Sequence, residues 1–329
     1  MANYKDLHGF EIKHRSSDPP SPIEGEIWYN TSSGTLKVAP KISAWSSGEN
    51  LGTARYGGGF GFTQEAVGIA GVEAGGTAVG NTELYDGSSW TESGDLTQVG
   101  HRRAACGTQT AALSVGAYSA PDIRNWVEEF GGSSWTTGGA FPSPSQFGSA
   151  NGPQTAAFYN AGYTGTTESY NEFFNYDGSS WTAAPANSTH YRQQRALIGN
   201  AASQTAAVAV GGYAPSPPYA SNETESWNGS SWTTGNAAPI SGWAWGYAGV
   251  TTAGLIFCHA PGSNDEALSW DGTNWTTAPS LGTTRSSVQG GAGVSTSAMQ
   301  MGGNVPPGSY RNATEEYNDV ATVRSVDTT

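Results

Sequence analysis

Apolar positions in this chain fall in short runs bounded by small polar residues. Examples are Thr110-Ala111-Ala112-Leu113-Ser114-Val115-Gly116 and Thr205-Ala206-Ala207-Val208-Ala209-Val210-Gly211. Runs of this length, closed by Gly, Ser and Thr, predict short buried strands. Upstream of each lies a stretch of small residues: Ala104–Gly107, 147–152, Ala196–Gly199, 247–250 and 288–293. Downstream comes a segment ending on an aromatic residue, then a Gly-containing turn, then a strand opening on Trp. Asp-Gly or Asn-Gly between aromatic residues is a strong hairpin signal, because these residues tolerate the positive φ of primed turns. The pattern predicts four short strands per unit, A to D in chain order, with the Trp on D.

The unit recurs. Tyr85-Asp86-Gly87-Ser88-Ser89-Trp90-Thr91 is matched by Phe130-Gly131-Gly132-Ser133-Ser134-Trp135-Thr136 and Tyr176-Asp177-Gly178-Ser179-Ser180-Trp181-Thr182. Two further copies run from Trp227 to Thr233 and from Trp270 to Thr276. The tryptophans are 45, 46, 51 and 43 residues apart, and Trp45 precedes Trp90 by another 45. A repeated four-stranded antiparallel unit of this length predicts an all-β fold, a β-propeller. Strand A starts near Arg55, Arg103, Phe147, Arg195, Tyr247 and Arg285, so six blades are expected over about 46–326. Small residues on A suit innermost strands converging on an axis, and the aromatics of C and D fill the wider space between blades. The sixth blade has Thr314-Glu315-Glu316-Tyr317-Asn318 but no Ser-Ser-Trp after it. Ile42-Ser43-Ala44-Trp45 keeps the repeat's phase and is expected to close the ring, with Thr322–Val326 as the rival strand. The expected domains are an N-terminal arm and hairpin, 1–41, and a propeller, 42–329.

Composition narrows the class. The chain has 329 residues, 46 of them Gly, 12 of them Trp, and 12% charged. Glycine at this level excludes helical bundles, at about 1 kcal/mol per residue against Ala; twelve Trp argue against disorder. No apolar run reaches the ~18 residues of a membrane span, and the first residues lack the apolar stretch of a signal peptide. All four lysines (Lys5, Lys13, Lys37, Lys41) lie in the first 41 residues, whereas the remainder carries 9 Arg against 22 acids. A body this acidic is not expected to bind nucleic acid, and the break near residue 41 marks a junction. Cys106 and Cys258 read as packing residues.

These units resemble the kelch repeat family, whose blades carry a diglycine ending strand B, then Glu-x-aromatic-Asp, then a Trp. Gly211-Gly212 and Gly302-Gly303 match the diglycine, Gly71-Val72, Gly116-Ala117 and Ala161-Gly162 match half of it, and Cys258-His259 does not match. Glu83, Glu128, Glu225 and Glu315 match the glutamate, which Phe174 and Leu268 replace. The resemblance covers 42–320 and implies the fold; kelch propellers host binding modules and oxidases alike. The segment from Gly25 to Val38 is similar to one common near the N-terminus of bacteriophage tail-fibre and other virion proteins. Leu51-x-Thr53-Ala54-Arg55 and Gly107-Thr108-Gln109-Thr110-Ala111-Ala112 are similar to propeller repeats of marine phage structural proteins. Those likenesses imply location in a virion and contact with a host surface. From its residues alone, 26–38 is a hairpin, and Asp18-Pro19-Pro20-Ser21-Pro22 a stiff extended lead.

In an A–B–C–D meander the B–C and D–A connections share one end of each blade. The B–C loops vary between repeats whereas the A–B and C–D turns do not, which places the expected working face on the B–C/D–A side. Candidate ligand-binding residues there are Tyr118, Arg124, Tyr163, Tyr213, Tyr219, Tyr310 and Arg311, with Trp243 on a D–A loop. Aromatic faces pack on the C–H faces of sugars, and Arg forks bind carboxylate or phosphate. The alternative is that these tyrosines pin down Pro/Gly loops. The repeated Trp, Asp and Glu read as architecture. Arg55, Arg102, Arg103, Arg192, Arg195 and Arg285, before the A strands, read as hydrogen-bonding between blades to Asp or carbonyls, or as ringing the channel. Catalytic residues, metal ligands and cofactors are expected to be none: the five histidines (His8, His14, His101, His190, His259) do not make a kelch-type copper site, and no nucleophile elbow or phosphate loop occurs. The expected function is a virion appendage protein, attached through 1–41 to the tail or a neighbouring subunit, without membrane insertion. Its loop face would bind a host-surface glycan or protein. The alternatives are a purely structural virion or scaffold propeller and, third, a carbohydrate-active enzyme.

Overall fold

The computed structural model describes residues 12–74, 77–160, 162–165, 171–199, 204–286, 291–305, 309–321 and 323–326. Lys5, His8, Ala161, the 288–290 portion of the expected sixth A strand and part of the 163–171 loop lie outside them. The chain divides into two compact units, Trp45–Tyr317 and a second made of Met1–Ala44 with Asn318–Thr329.

The larger unit is all-β; among the described residues six of its sheets have four strands in the order inner, second, third, outer, and a two-stranded ribbon pairs Asn304–Val305 with Ser309–Tyr310. Sheet I comprises Tyr56–Thr63, Ala66–Ala74, Thr77–Tyr85 and Trp90–Ser93. Sheet II has Ala104–Thr108, Ala111–Ser119, Asp122–Phe130 and Trp135–Thr137. Sheet III has Ser149–Asn151, Phe158–Asn160, Phe173–Tyr176 and Trp181–Ala183. Sheet IV has Ala196–Gly199, Ala207–Val210, Thr224–Trp227 and Trp232–Thr234. Sheet V has Gly246–Val250, Ala253–Phe257, Ala267–Trp270 and Trp275–Ala278. Sheet VI joins Gly291–Val294, Ser297–Met301 and Thr314–Ala321 to the N-terminal strand Lys41–Ser47 in the outer place. The inner strands touch in cyclic order from I to VI and back to I, the arrangement of a β-propeller.

Small residues are required where these strands converge. A Cβ on Gly58 would lie 2.8 Å from that of Ala105 on the next sheet. The space they leave is only about 40 Å³, and the Tyr247 hydroxyl donates to the Ala150 carbonyl of sheet III, 3.0 Å away.

Three sets of side chains tie each sheet to the one before. Gln64, Gln109, Gln154 and Gln204, in the A–B turns of sheets I to IV, each donate from Nε2 to two carbonyls of the preceding sheet. Gln109 reaches Val67 and Tyr85 at 2.7 and 2.5 Å, and Gln154 reaches Ala112 and Phe130 at 2.8 and 3.0 Å. Gln64 reaches Ala298 and Tyr317 of sheet VI, across the closure of the ring. The outer-strand indoles also donate backward: Trp135 to Thr82 Oγ1 at 2.8 Å, Trp275 to Thr224 Oγ1 at 2.9 Å, Trp45 to the Pro279 carbonyl at 3.0 Å. Each of the five motif indoles packs on the aromatic residue across its own hairpin, with ring centroids 4.7–5.3 Å apart. Finally, the Tyr85 and Tyr176 hydroxyls donate to Glu316 and Glu129 of the preceding sheets.

The arginines before the A strands do not bridge blades to Asp. Arg55, Arg103, Arg195 and Arg285 are buried and ion-paired within their own sheets to Glu83, Glu128, Glu225 and Glu315. The meander folds the base of strand A against strand C, which sequence distance conceals. The glutamates also accept backbone N–H groups from the incoming D–A connection: Gly52, Thr97, Thr189 and Gly282, at 2.6–2.8 Å. Burial pushes the Glu225 carboxyl up, but Arg195 and Thr189 outweigh it and hold the group below its ordinary range. Both cysteines are buried, and burial alone lifts the Cys106 thiol to about 12.

Cys258 departs from glycine in sequence yet takes the glycine conformation. Its φ is +47°, beside +65° at Gly211 and +58° at Gly302, and all three stand two residues before the residue that bridges to the D–A connection.

In the smaller unit, Ile27–Asn30 and Thr35–Val38 form an antiparallel hairpin. Lys13–Arg15 adds in parallel on one side and Arg324–Ser325 antiparallel on the other. The expected extended lead is therefore folded onto the hairpin, held where Asp18 Oδ1 accepts the Trp28 indole N–H at 3.1 Å and the Asn30 amide at 2.8 Å. The boundary at 41/42 shifts as well. Residues 318–329 belong with the N-terminal unit, because Arg324–Ser325 pairs with Thr35–Val38.

Candidate ligand-binding groove

The site starts with the strand ends that share the B–C/D–A side. On sheets II to IV, the residue entering each A strand bridges to a tyrosine leaving strand B of the same sheet: His101 to Tyr118, Gln146 to Tyr163, Gln193 to Tyr213. One residue later the backbone turns left-handed, at Arg102 (φ +62°), Phe147 (+59°) and Gln194 (+56°). Non-glycine residues take this conformation at a cost of roughly 1 kcal/mol or more, so it persists only where surrounding contacts impose it. The turn separates two adjacent arginines. Arg103 goes inward to Glu128, and Arg102 lines a groove.

That groove, of about 320 Å³, is lined by Arg102, Gln146, Phe147, Tyr163, Gln193, Tyr213 and Pro215. Pro215 is shared with a wider depression of about 710 Å³ bordered by Tyr191, Arg192 and Glu172. Together they form a continuous strip across sheets II to IV. The Arg102 guanidinium carbon lies 5.0 Å from the Tyr118 ring centroid and 4.5 Å from that of Phe147, and Nη1 donates to Gln146 Oε1 at 2.9 Å. At the other end Tyr213 stacks on Tyr219 (5.5 Å, 5° between planes) and receives Trp243 edge-on at 5.2 Å. Tyr219 is 47% exposed, so its outer face is available to a ligand. Arg192 is held to Glu223 at 2.7 Å, and Glu223 also faces His190 at 3.0 Å.

Five of the eight sequence-predicted residues therefore gather here: Tyr118, Tyr163, Tyr213, Tyr219 and Trp243. Three do not. Arg124 lies on the Asp122–Phe130 strand, ion-paired with Asp122 at 3.0 Å and 5.4 Å from the Trp126 ring. It was expected in a loop, but the second and third strands of sheet II pair up to Ser119 and Asp122, leaving a two-residue turn. Tyr310 packs on Tyr56 at 5.7 Å. Arg311 acts through its backbone, which bonds Gly303 and Arg55. Gln146, Gln193, Phe147 and Tyr191 were missed, because they lie in D–A connections, where only Trp243 was singled out. Among the described residues no group of three or more His, Cys, Asp or Glu side chains is placed to hold a metal ion.

No family model and no curated protein matches this chain. Among solved structures, the one titled "Structure of YjhT" superposes with a TM-score of 0.67 at 12% identity, covering 84% of this chain and 99% of that one. At that identity the likeness shows the fold, a β-propeller, and nothing finer.

Proposed function

We propose that the chain is a recognition propeller of a phage virion appendage, and that the groove across sheets II to IV binds a glycan on the host surface. One observation carries the binding reading: flat aromatic walls, amides and a guanidinium converge in an open groove. Its volume falls within the roughly 300–1,000 Å³ usual for ligand sites. Tyr213, Tyr219 and Phe147 supply faces for sugar C–H groups, while Gln146, Gln193 and Arg102 supply polar partners. Glycoside hydrolysis uses two opposed carboxylates. Among the described lining residues Glu172 is the single one, which favours binding over turnover. The virion placement rests on the likeness of Gly25–Val38 and of the 51–55 and 107–112 phrases to phage proteins. In this reading the 1–44 unit, carrying all four lysines, is the attachment end.

A glycan array probed with the purified chain tests the binding reading. Binding to surface polysaccharides that is lost on Tyr213→Ala with Trp243→Ala is expected. Binding untouched by that pair moves the site elsewhere. Antibody-labelled virions test the placement.

A further inference from the structure

Resting on that glycan reading, we infer that the sugar taken into the groove is acidic, with its carboxylate received by Arg102. The first ground is charge accounting. Arg55, Arg103, Arg124, Arg192, Arg195 and Arg285 each face a carboxylate within 3.0 Å. Among the described residues Arg102, Arg311 and Arg324 face none, and of these three only Arg102 lines the groove. In a chain of net charge −13, a guanidinium left without a carboxylate in a concave site is a selective feature rather than general surface charge.

The second ground is pre-organisation. The strained backbone at Arg102, the rings of Tyr118 and Phe147, and the bond to Gln146 fix the guanidinium before any ligand arrives. Little side-chain entropy remains to be lost on binding. Nη1 is engaged by Gln146, which leaves the other terminal nitrogen and Nε to offer a planar pair of donors. That fork fits a carboxylate or a phosphate bidentately, and charge favours the carboxylate, which one arginine neutralises fully and a phosphate dianion only in part.

The third ground is the neighbouring acceptor. The Gln193 side-chain oxygen is buried without a hydrogen-bond partner, in the same groove as Arg102. An unmet buried acceptor is costly, and a small rotation of the amide that brings this oxygen to a sugar hydroxyl in the groove recovers that cost. A carboxylate on the guanidinium and a hydroxyl on the amide oxygen describe one hexuronate-type unit, whose ring is left to Phe147 and Tyr213.

The test uses matched triplets on the array: a uronate-bearing oligosaccharide, its carboxyl-reduced neutral form and a phosphorylated analogue. The full chain is expected to prefer the uronate over its reduced form by tenfold or more. Arg102→Gln should erase that preference, weakening the uronate far more than the reduced form, and Arg102→Lys should restore it in part. Gln193→Leu should weaken both forms equally. Equal binding of uronate and reduced forms by the unaltered chain, or preference for phosphate, overturns the inference and leaves the glycan reading standing. Binding to no member overturns both. Should Arg102→Gln melt early, the unaltered chain's uronate-to-neutral ratio decides alone.

Discussion

Arg195 and Glu225 lie 2.7 Å apart within sheet IV, both side chains wholly removed from solvent. The same pair recurs in sheets I, II and VI. In sheets III and V both members are absent together: the register places Gly148 and Phe174 at the two positions in sheet III, and Trp245 and Leu268 in sheet V. Sheet III fills the space with Tyr159, whose hydroxyl bonds Ser145 at 2.9 Å. A buried charge is tolerated only with its partner, so the chain keeps both or neither.

Breaking this pair should be costly, and removing it whole should not. Glu225→Gln alone is expected to lower stability by about 3–5 kcal/mol, the usual cost of stranding one buried charge. Arg195→Met with Glu225→Leu should recover most of that loss, as sheet V does naturally. Denaturant melts of the three variants check it. A double variant worse than the single one would contradict the account.

The glutamine staples predict a second effect. Gln109→Ala leaves the Val67 and Tyr85 carbonyls without its amide, and a cost of about 1–3 kcal/mol is expected. Gln109→Glu should do no better, because a carboxylate cannot donate. Hydrogen exchange at the sheet I–II boundary is the sensitive readout.

Acid should weaken the protein through identifiable groups. Backbone N–H groups of Ser89 and Ser180, with the nearby serine hydroxyls, lower Asp86 and Asp177 to about 2, and Asp271 is lowered by Asn274 and Thr273. A carboxylate with a depressed folded pKa stabilises fully above its unfolded value, and the gain is lost as pH falls through the folded one. With Glu225 also depressed, the melting temperature should fall from about pH 4.5 towards 2, after a shallower loss below about pH 6.5 from His259, which burial holds neutral. Asn228 already makes the same turn without charge, accepting Ser230 and Ser231 N–H at 3.0 and 2.9 Å. Asp86→Asn, Asp177→Asn and Asp271→Asn combined should therefore flatten part of the acid limb.

The repeat itself was legible, because a hairpin turn and a large indole are local signals that recur in phase. Strand identity followed from it, down to the small residues of the inner strands. What stayed hidden depends on neighbours distant in sequence. Arg195 and Glu225 were each visible, but only the meander brings strand A's base to strand C. Gln109 stood within a phrase that carried a family likeness, and its partners belong to another sheet. For the groove, variable loops pointed to Tyr213, Tyr219 and Trp243. Arg102 and Arg103 looked equivalent until a single left-handed residue sent one to the groove and the other to the core.

The aromatic end of the groove gives a direct affinity prediction. Tyr219→Ala and Trp243→Ala should each weaken glycan binding by about tenfold, or 1.4 kcal/mol. Melting temperature should barely change, since Tyr219 is half exposed. Titration of one array-selected glycan against both variants checks this.

The most direct measurement is a crystal structure of the chain with that glycan. Sugar density lying along Arg102, Phe147, Tyr163 and Tyr213, with a ring against Tyr213 or Phe147, is the result predicted. Density on the opposite side, by the Asp-Gly-Ser-Ser turns, or between copies of the chain with the groove empty, would contradict it.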